Sequence, residues 1–199
     1  MHDDFALTNL TNHFLIAMPG LQDEVFHRSV VYLCEHSDKG ALGLVINKPC
    51  EISMTGLFDK LSLPLLRKDL FDAPVFLGGP VQNDRGFVLH DATFSEADQP
   101  EEAVYASTMM IPGGMEMTTS KDVLEAISTG FGPARVLVSL GYAAWGEGQL
   151  ESELGENSWL TVAADPALIF ETPFAERYDK ALKLLGLEAW MLSMDAGHA

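Results

Sequence analysis

The chain has 199 residues, of which 47% are hydrophobic and 21% charged, which is enough apolar surface for a sizeable core. This composition excludes a disordered chain or a fibrous repeat. The 12 Lys and Arg against 29 Asp and Glu give a net charge of −17. Because this charge opposes phosphate backbones and anionic membrane surfaces, we expect no direct nucleic-acid partner and no membrane partner. No linker is visible, so residues 1–199 are predicted to form a single domain.

The number of cysteines and the residues at the N-terminus indicate the cellular compartment. The two cysteines, Cys34 and Cys50, are too few for a disulfide framework and favour a reducing environment. Asp3 and Asp4 stand where a secretory signal needs positive charge. Every apolar stretch is interrupted before it reaches the roughly 20 residues that span a bilayer. The sequence therefore predicts a cytoplasmic protein.

The first half of the chain is predicted to be rich in strands. Ser37-Asp38-Lys39-Gly40 is a turn signal that predicts an antiparallel hairpin between its flanking strands. Ser53 is the predicted N-cap of a short helix through Leu61. Glu96, Asp98 and their neighbours predict a solvated acidic loop over 92–102. Apolar and β-branched runs predict strands at 13–18, 29–35, 41–47, 74–77, 86–90 and 104–110.

The second half mixes strands and helices. Ser120 is the predicted N-cap of a helix that Gly130 ends. The run 134–140 is almost entirely apolar, which predicts a central strand buried on both faces. The remaining predictions are a turn rich in glycine and aromatic residues at 141–148, a helix at 149–154, a strand at 159–163, and a final helix begun by Thr172 and Pro173 and ended by Gly186. The irregular alternation predicts an α+β fold with a mixed or antiparallel sheet.

Cys34-Glu35-His36 and His90-Asp91 bring together residue types that bind zinc or support a cysteine nucleophile. Their spacing matches no metal motif, so neither a metal nor a cofactor is expected. Strand alternation places Cys34 and His36 on one face and Glu35 on the other. Nothing basic stands beside Cys34, so it is interpreted as a core residue. His36 and His90, each at a strand end, are the better candidates for a polar site.

Gly78-Gly79-Pro80 and Gly113-Gly114 are the consecutive glycines that can turn backbone amides toward a phosphate. Neither matches a dinucleotide or phosphate-loop pattern, so turns are the favoured interpretation. Arg85 is predicted to form an ion pair with one of the many carboxylates, with an anionic ligand as the alternative. Asn47, at the end of the third strand, is added as a candidate binding residue.

The most plausible pocket wall follows the predicted central strand, since ligands tend to bind beyond strand ends. Tyr142, Trp145, Gln149 and Glu151 supply rings, an amide and a carboxylate there. The alternative is that the rings complete the core and Glu151 faces solvent. Ser139 lacks the glycine of a nucleophile elbow, so it is not a supported nucleophile.

Three long stretches of the sequence carry a family resemblance. They are FLIAMPGLQDEVFHRSVVYLCEHSDKGALGLVINKP at 14–49, VFLGGPVQNDRGFVLHD at 75–91 and TTSKDVLEAISTGFGPARVLVSLGYAAWGEGQLESEL at 118–154. With NSWL at 157–160 and the terminal GHA, they resemble the YqgE/AlgH family of bacterial proteins in the family's own order. Ala144 stands where the family has a glycine, which argues against a role that needs close backbone approach there.

The resemblance implies a single α+β domain with a strongly curved sheet and peripheral helices. Members are largely uncharacterised, and an association with alginate regulation gave the family its label of transcriptional regulator. The net charge and the absence of a helix-turn-helix signal argue against direct DNA binding. The leading hypothesis is therefore a non-catalytic regulatory or binding protein with a protein or small-molecule partner. The alternative is an enzyme in which His36, His90 and Glu151 converge near Gly78 and Trp145.

Overall fold

The computed structural model describes residues 8–92 and 104–192. The predicted acidic loop lies outside these ranges except for Ala92. The described strands are β1 (His13–Ala17), β2 (Val30–Ser37), β3 (Gly40–Val45), β4 (Pro49–Ser53), β5 (Pro74–Leu77), β6 (Val81–Asp91), β7 (Thr108–Ile111), β8 (Met115–Thr118), β9 (Val136–Trp145) and β10 (Trp159–Ala163). The helices are α1 (Met54–Lys60), α2 (Asp122–Ser128), α3 (Gln149–Gly155), α4 (Pro166–Phe170) and α5 (Arg177–Leu184), with short 3₁₀ turns at Lys68–Leu70, Phe174–Glu176 and Ala189–Met191.

β9 is the strand around which the sheet is organised. The strand order is β10-β1-β2-β3-β9-β6-β8-β7, with β5 beside β9 and β4 beside β5. The C-terminal end of β9 pairs with β3, most of its length pairs with β6, and both pairings are antiparallel. The pairing with β5, through Ser139 and Leu140, is parallel. The sheet is therefore mixed, and it curls into a half-barrel, which confirms the predicted α+β fold.

The curled sheet buries apolar side chains on both faces. In β1, β2 and β3, alternate residues such as Tyr32 and Leu44 face one core, to which α4 and α5 contribute. Their neighbours Leu33 and Val45 face a second core, which α3 covers through Leu150. A third core lies under α1 and α2 around Phe58. Strands buried on both faces explain the continuous apolar runs in the sequence.

The predicted hairpin and the first helix cap are confirmed. β2 and β3 pair antiparallel up to Ser37 opposite Gly40. The Ser53 hydroxyl accepts a hydrogen bond from the Gly56 N–H at 3.2 Å, and α1 follows at once, because this bond satisfies one of the otherwise free first-turn amides.

The turn predicted over 141–148 is wrong for its first half. Gly141 to Trp145 continue β9, and Ala143, Ala144 and Trp145 pair with β3. Gly141 has φ 75°, a conformation that glycine adopts freely. A Cβ there would lie 2.6 Å from the Gly79 carbonyl oxygen. The glycine therefore permits a close crossing inside a strand, where the composition alone suggested a turn.

Two predicted helix starts are also wrong. α2 begins after Lys121, which makes no side-chain cap, because the Ser120 hydroxyl donates to Asp122 at 2.5 Å instead. Thr172 caps no helix either: Pro173 precedes a 3₁₀ turn, and α5 begins at Arg177.

Three short elements, β4, β8 and α4, were not predicted. β8 follows the predicted turn at Gly113-Gly114 and forms a hairpin with β7. β7 is shorter than the strand predicted over 104–110. α4 has a clear local signal, because Asp165 caps it and Pro166 occupies its first turn. No helix in the described ranges has the length and apolar character to cross a membrane.

Candidate functional site

The predicted site residues do not converge. His90 on β6 lies beside Val136, at the start of β9, whereas His36 lies opposite Ala41, which pairs with Trp145 at the end of β9. Val136 and Trp145 are nine residue steps apart, or about 30 Å along a strand. A cleft that holds both histidines is therefore ruled out, and the enzyme hypothesis in the form stated above is wrong.

A β-bulge turns His36 toward α3. Leu33 lies opposite Gly43 while Glu35 lies opposite Leu42, so β2 has one extra residue there. The extra residue exchanges the two faces of the strand beyond that point. Cys34 packs in the first core, whereas the His36 ring reaches Glu151 of α3, beside the second core. The prediction that Cys34 and His36 share a face is wrong for this reason.

Both nitrogens of the His36 ring have partners. Nδ1 accepts a hydrogen bond from the Leu10 N–H at 2.9 Å, so Nε2 carries the proton and donates to Glu151 Oε1 at 2.6 Å. Burial, the largest single effect, raises the pKa of Glu151, but the hydrogen bond with His36, a backbone hydrogen bond and the Coulombic effect of His36 together outweigh it, so the pKa is lowered. The pair lines a depression of about 350 Å³ with Leu10, Leu154 and Thr161. A ring bonded on both sides has no free lone pair with which to accept a substrate proton.

The remaining polar residues at this end of β9 hold the fold together. The indole N–H groups of Trp145 and Trp159 donate to the same carboxylate oxygen of Glu153, at 2.6 and 3.1 Å. Phe26 packs against both rings. The Gln149 side chain accepts from the Gly146 N–H at 3.0 Å at the start of α3. These contacts match the interpretation in which the rings complete the core.

Gly78-Gly79-Pro80 forms a close crossing between β5 and β9. The Gly78 N–H donates to the Leu140 carbonyl, and the Gly78 carbonyl accepts from Val45, both at 2.9 Å. A Cβ at Gly78 would lie 2.0 Å from Ser139 Oγ. Gly78 is required here for packing, and its amide is committed to the sheet. Pro80 is exposed at the turn that follows.

His90 is fully buried in a separate polar cluster. Its Nδ1 lies 2.8 Å from the Asp91 carbonyl, to which it donates, and its Nε2 accepts from the Thr118 hydroxyl at 2.8 Å. Glu116 lies 3.8 Å away. Burial lowers the pKa of His90, against the smaller raising effects of the Asp91 carbonyl and Glu116. The ring is therefore the neutral tautomer protonated on Nδ1.

Three other predicted site residues have local roles. The Asn47 side chain bridges β3 to the start of β2, accepting from the Val30 N–H and donating to the Arg28 carbonyl, both at 2.9 Å. The Tyr142 ring packs edge-on against Phe87. Arg85 contacts Thr119 and the face of Phe87, and no carboxylate in the described ranges pairs with it. The expected ion pair of Arg85 is thus not found among those residues.

The two residues considered as nucleophiles are both inactive in this arrangement. Burial, the larger effect, and the charge of Glu35 raise the pKa of the Cys34 thiol, so the reactive thiolate is disfavoured. The Ser139 hydroxyl donates to the Gly141 carbonyl at 2.9 Å.

Sequence reasoning missed a cavity of about 440 Å³ at the other end of β9. Arg177, the first residue of α5, lies in its wall and is only 6% exposed. Nε donates to the Thr172 carbonyl at 2.9 Å, and Nη1 donates to the Ile46 carbonyl. The guanidinium lies 5.0 Å from the centre of the Phe76 ring. Burial lowers the pKa of Arg177 to about 10. The apolar residues that line this cavity include Pro74, Phe76, Val136, Val138, Ile169, Phe170, Pro173 and Phe174.

Arg135 stands at the rim of the same cavity. It makes a two-pronged ion pair with Asp91, at 2.9 and 2.8 Å, and lies 3.8 Å from Glu171. Its guanidinium also covers the Phe170 ring. Arg135 is therefore committed to its own carboxylates, whereas Arg177 is bonded only to carbonyl groups and a ring face.

One signal in the sequence pointed to this cavity. Arg177 precedes Tyr178, Ala181 and Leu182 on the apolar face of α5, all buried. An arginine on the buried face of an amphipathic helix needs polar partners for its guanidinium.

In residues 8–92 and 104–192, no group of three or more His, Cys, Asp or Glu is placed to hold a metal ion.

Comparison with known proteins agrees with this fold. The family model described as AlgH-like matches residues 14–190. The chain is 76% identical over 199 residues to a UPF0301 protein of Albidiferax ferrireducens and 71% identical to one of Variovorax paradoxus, in each case over the whole of both chains. The chain therefore belongs to the AlgH-like family.

Two solved structures resemble the chain. The solution structure of the AlgH protein from Pseudomonas aeruginosa superposes with a TM-score of 0.74 at 45% identity, covering 98% of each chain. Protein DIP2367 from Corynebacterium diphtheriae has a TM-score of 0.67 at 18% identity, covering 87% of this chain and 86% of that one. The similarity to DIP2367 shows a shared fold and nothing further.

Proposed function

We propose that this AlgH-like protein is a non-catalytic binding protein with a regulatory role, and that the cavity at Arg177 is its ligand site. The observation that carries the proposal is the contrast within the described residues between Arg177 and the groups that commonly catalyse reactions. His36, His90 and Ser139 are bonded to neighbouring groups. Arg177 lies in the wall of a cavity whose volume suits a small ligand.

We propose that the protein regulates through a protein partner and not by binding DNA itself. The net charge of −17 argues against attraction to a nucleic-acid backbone. A ligand-bound and a ligand-free form that differ in affinity for a protein partner would be sufficient for regulation. The free thiols Cys34 and Cys50 support a reducing, cytoplasmic location for this role.

The competing function is catalysis at the depression beside His36 and Glu151. What favours it is that these two predicted site residues do meet, at 2.6 Å. The hydrogen bond from Leu10 to Nδ1 opposes it, because a catalytic ring must exchange protons with a substrate.

A panel of nucleotides, metabolites and divalent ions tests the proposal by two readouts on the same samples, the melting temperature and the NMR spectrum of the added compound. We expect at least one compound to raise the melting temperature, since a ligand at about a hundred times its Kd adds about 2.7 kcal/mol to native stability. We also expect that compound to be recovered unchanged. Conversion of a compound by the protein but not by the His36→Ala variant would contradict the proposal and establish the competing function.

A further inference from the structure

We propose that the cavity at Arg177 binds a small monocarboxylate with an apolar body. This inference rests on the proposed binding function and names its ligand class. It is carried by the hydrogen bonds of Arg177, the charges around the cavity and the character of its walls.

Arg177 has donor capacity that the described part of the chain does not use. Its bonds to Thr172 and Ile46 involve Nε and Nη1, and Nη2 has no partner in residues 8–92 or 104–192. In those ranges, Ser29 Oγ is the buried polar side-chain atom that lacks a hydrogen-bond partner. Nη2 lacks a partner there but is not such a buried atom, so it is accessible to a ligand or to solvent. A nearly buried cation with free N–H groups favours an anionic partner.

The charges around the cavity leave Arg177 without a carboxylate of its own. Arg135 is paired with Asp91 at 2.8 Å, and Asp69 is paired with Arg67 at 2.7 Å. Glu171 is 63% exposed on its side chain and lies near Arg135, where water screens it. No carboxylate in the described ranges forms an ion pair with Arg177.

A single guanidinium that forms no ion pair within the described ranges matches a singly charged anion better than a phosphate dianion. Guanidinium and carboxylate groups are both planar, and two parallel N–H···O bonds join them. A dianion in a chain of net charge −17 would need a second free cation, and Arg135 is already paired. The charge therefore favours a carboxylate over a phosphate group.

The walls select the rest of the ligand. Phe76 and Phe174 pack edge to face with ring centres 6.3 Å apart, and Phe76 also contacts the Arg177 guanidinium. Ile169, Val138 and Met54 add aliphatic surface. Because apolar walls reward the burial of apolar groups, we expect a carboxylate attached to an aromatic or branched aliphatic body.

Calorimetric titration of the full chain tests this inference with two probes of nearly equal shape, phenylacetate and phenylacetamide. We expect phenylacetate to bind saturably and phenylacetamide to bind at least about tenfold more weakly, because the neutral amide forms no ion pair with the guanidinium and offers one acceptor oxygen instead of two. Inorganic phosphate should not displace phenylacetate. Equal binding of acid and amide, no saturable heat from phenylacetate up to about 10 mM, or displacement by phosphate would each overturn the inference.

Two arginine variants assign the binding to the cavity. Arg177→Lys keeps the charge but loses the planar fork, so we expect phenylacetate affinity to fall about tenfold. Arg85→Lys, on the surface, is the matched control and should bind as the unchanged chain does. Unaltered affinity in Arg177→Lys would overturn the inference. If Arg177→Lys does not fold, the acid and amide probes on the unchanged chain still decide.

The two proposals fail in different ways. If no carboxylate binds but another compound raises the melting temperature and is recovered unchanged, only the ligand class is wrong. If phenylacetate binds at Arg177 while a different compound is converted at His36, the binding site stands and the non-catalytic function is wrong.

Discussion

At the Trp145 end of β9, the polar side chains are fully occupied with one another: His36 is bonded through both ring nitrogens, and Glu153 accepts from two indoles. At the Val136 end, Arg177 donates to carbonyl groups and keeps free N–H groups beside a cavity. Residue types typical of catalysis thus have complete hydrogen bonding. The residue with unbonded N–H groups, Arg177, belongs to no catalytic sequence motif.

The largest effect is expected at Gly78, where β5 crosses close to β9 between these two ends. Gly78→Ala would place a methyl group 2.0 Å from Ser139 Oγ and 2.3 Å from the Gly141 carbonyl oxygen. We expect the free energy of unfolding in urea to fall by about 3 kcal/mol. Gly86→Ala is the control, since a Cβ there meets nothing within 4 Å, and should change stability by no more than about 0.5 kcal/mol. Equal losses in the two variants would refute the crossing.

At the occupied end, His36→Ala tests whether the histidine is structural. Removing the ring leaves the buried Leu10 N–H without its acceptor, so we expect a loss of about 2 kcal/mol in stability. Phenylacetate affinity should not change. The exposed His27 provides the control, with a loss of at most about 0.5 kcal/mol in His27→Ala. A stable His36→Ala variant that no longer binds phenylacetate would show that the ligand site lies at the Trp145 end of β9 and not at Arg177.

The pH dependence of stability tests a second group at the Val136 end, His90, which is hydrogen-bonded through both ring nitrogens. Its pKa is lowered in the folded protein, so the unfolded chain, with a histidine pKa of about 6.5, takes up the proton first. Stability is therefore fully present above about pH 6.5 and declines as the pH falls, by at most about 1.4 kcal/mol per pH unit for this group. Urea unfolding between about pH 5 and 7 measures the slope. His90→Gln should reduce it, and an unchanged slope would show that His90 is not its source.

The smallest effect is expected at Ala144, where the sequence resemblance led us to expect a glycine. Ala144 is exposed within β9, so its methyl group points away from both cores. Ala144→Gly should lower stability by about 0.5 kcal/mol through backbone entropy and leave phenylacetate affinity unchanged. Thermal unfolding and calorimetry check the two parts. A clear gain in affinity would mean that the methyl group obstructs a site at this end.

The sequence predicted the fold well because its signals there are local. Apolar runs, the Ser37–Gly40 turn and the Ser53 cap each depend on neighbouring residues. The turn and the cap were confirmed, and most apolar runs form strands, although the run predicted over 104–110 became the shorter β7. Gly141 was misread because its role depends on Gly79, which is distant in the sequence. Thr172 and Pro173 were misread because the first turn there is 3₁₀ and α5 begins later.

The candidate site was harder to predict because it depends on long-range geometry. Strand alternation gave the wrong face for His36, since one extra residue in β2 reverses it. The meeting of His36 with Glu151 joins residues 115 positions apart. The cavity needs α4, which was not predicted, to lie beside the start of β9. Only the unusual position of Arg177 on a buried helix face was available to sequence reasoning.

An NMR titration that follows the Arg177 Nε–H and the His36 Nε2–H signals in one sample distinguishes a ligand site at Arg177 from one at His36. We expect phenylacetate to shift the Arg177 signal saturably and to leave the His36 signal, with its tautomer and its bond to Glu151, in place. A His36 signal that moves with phenylacetate while the Arg177 signal stays fixed would show that the binding site lies at the other end of β9.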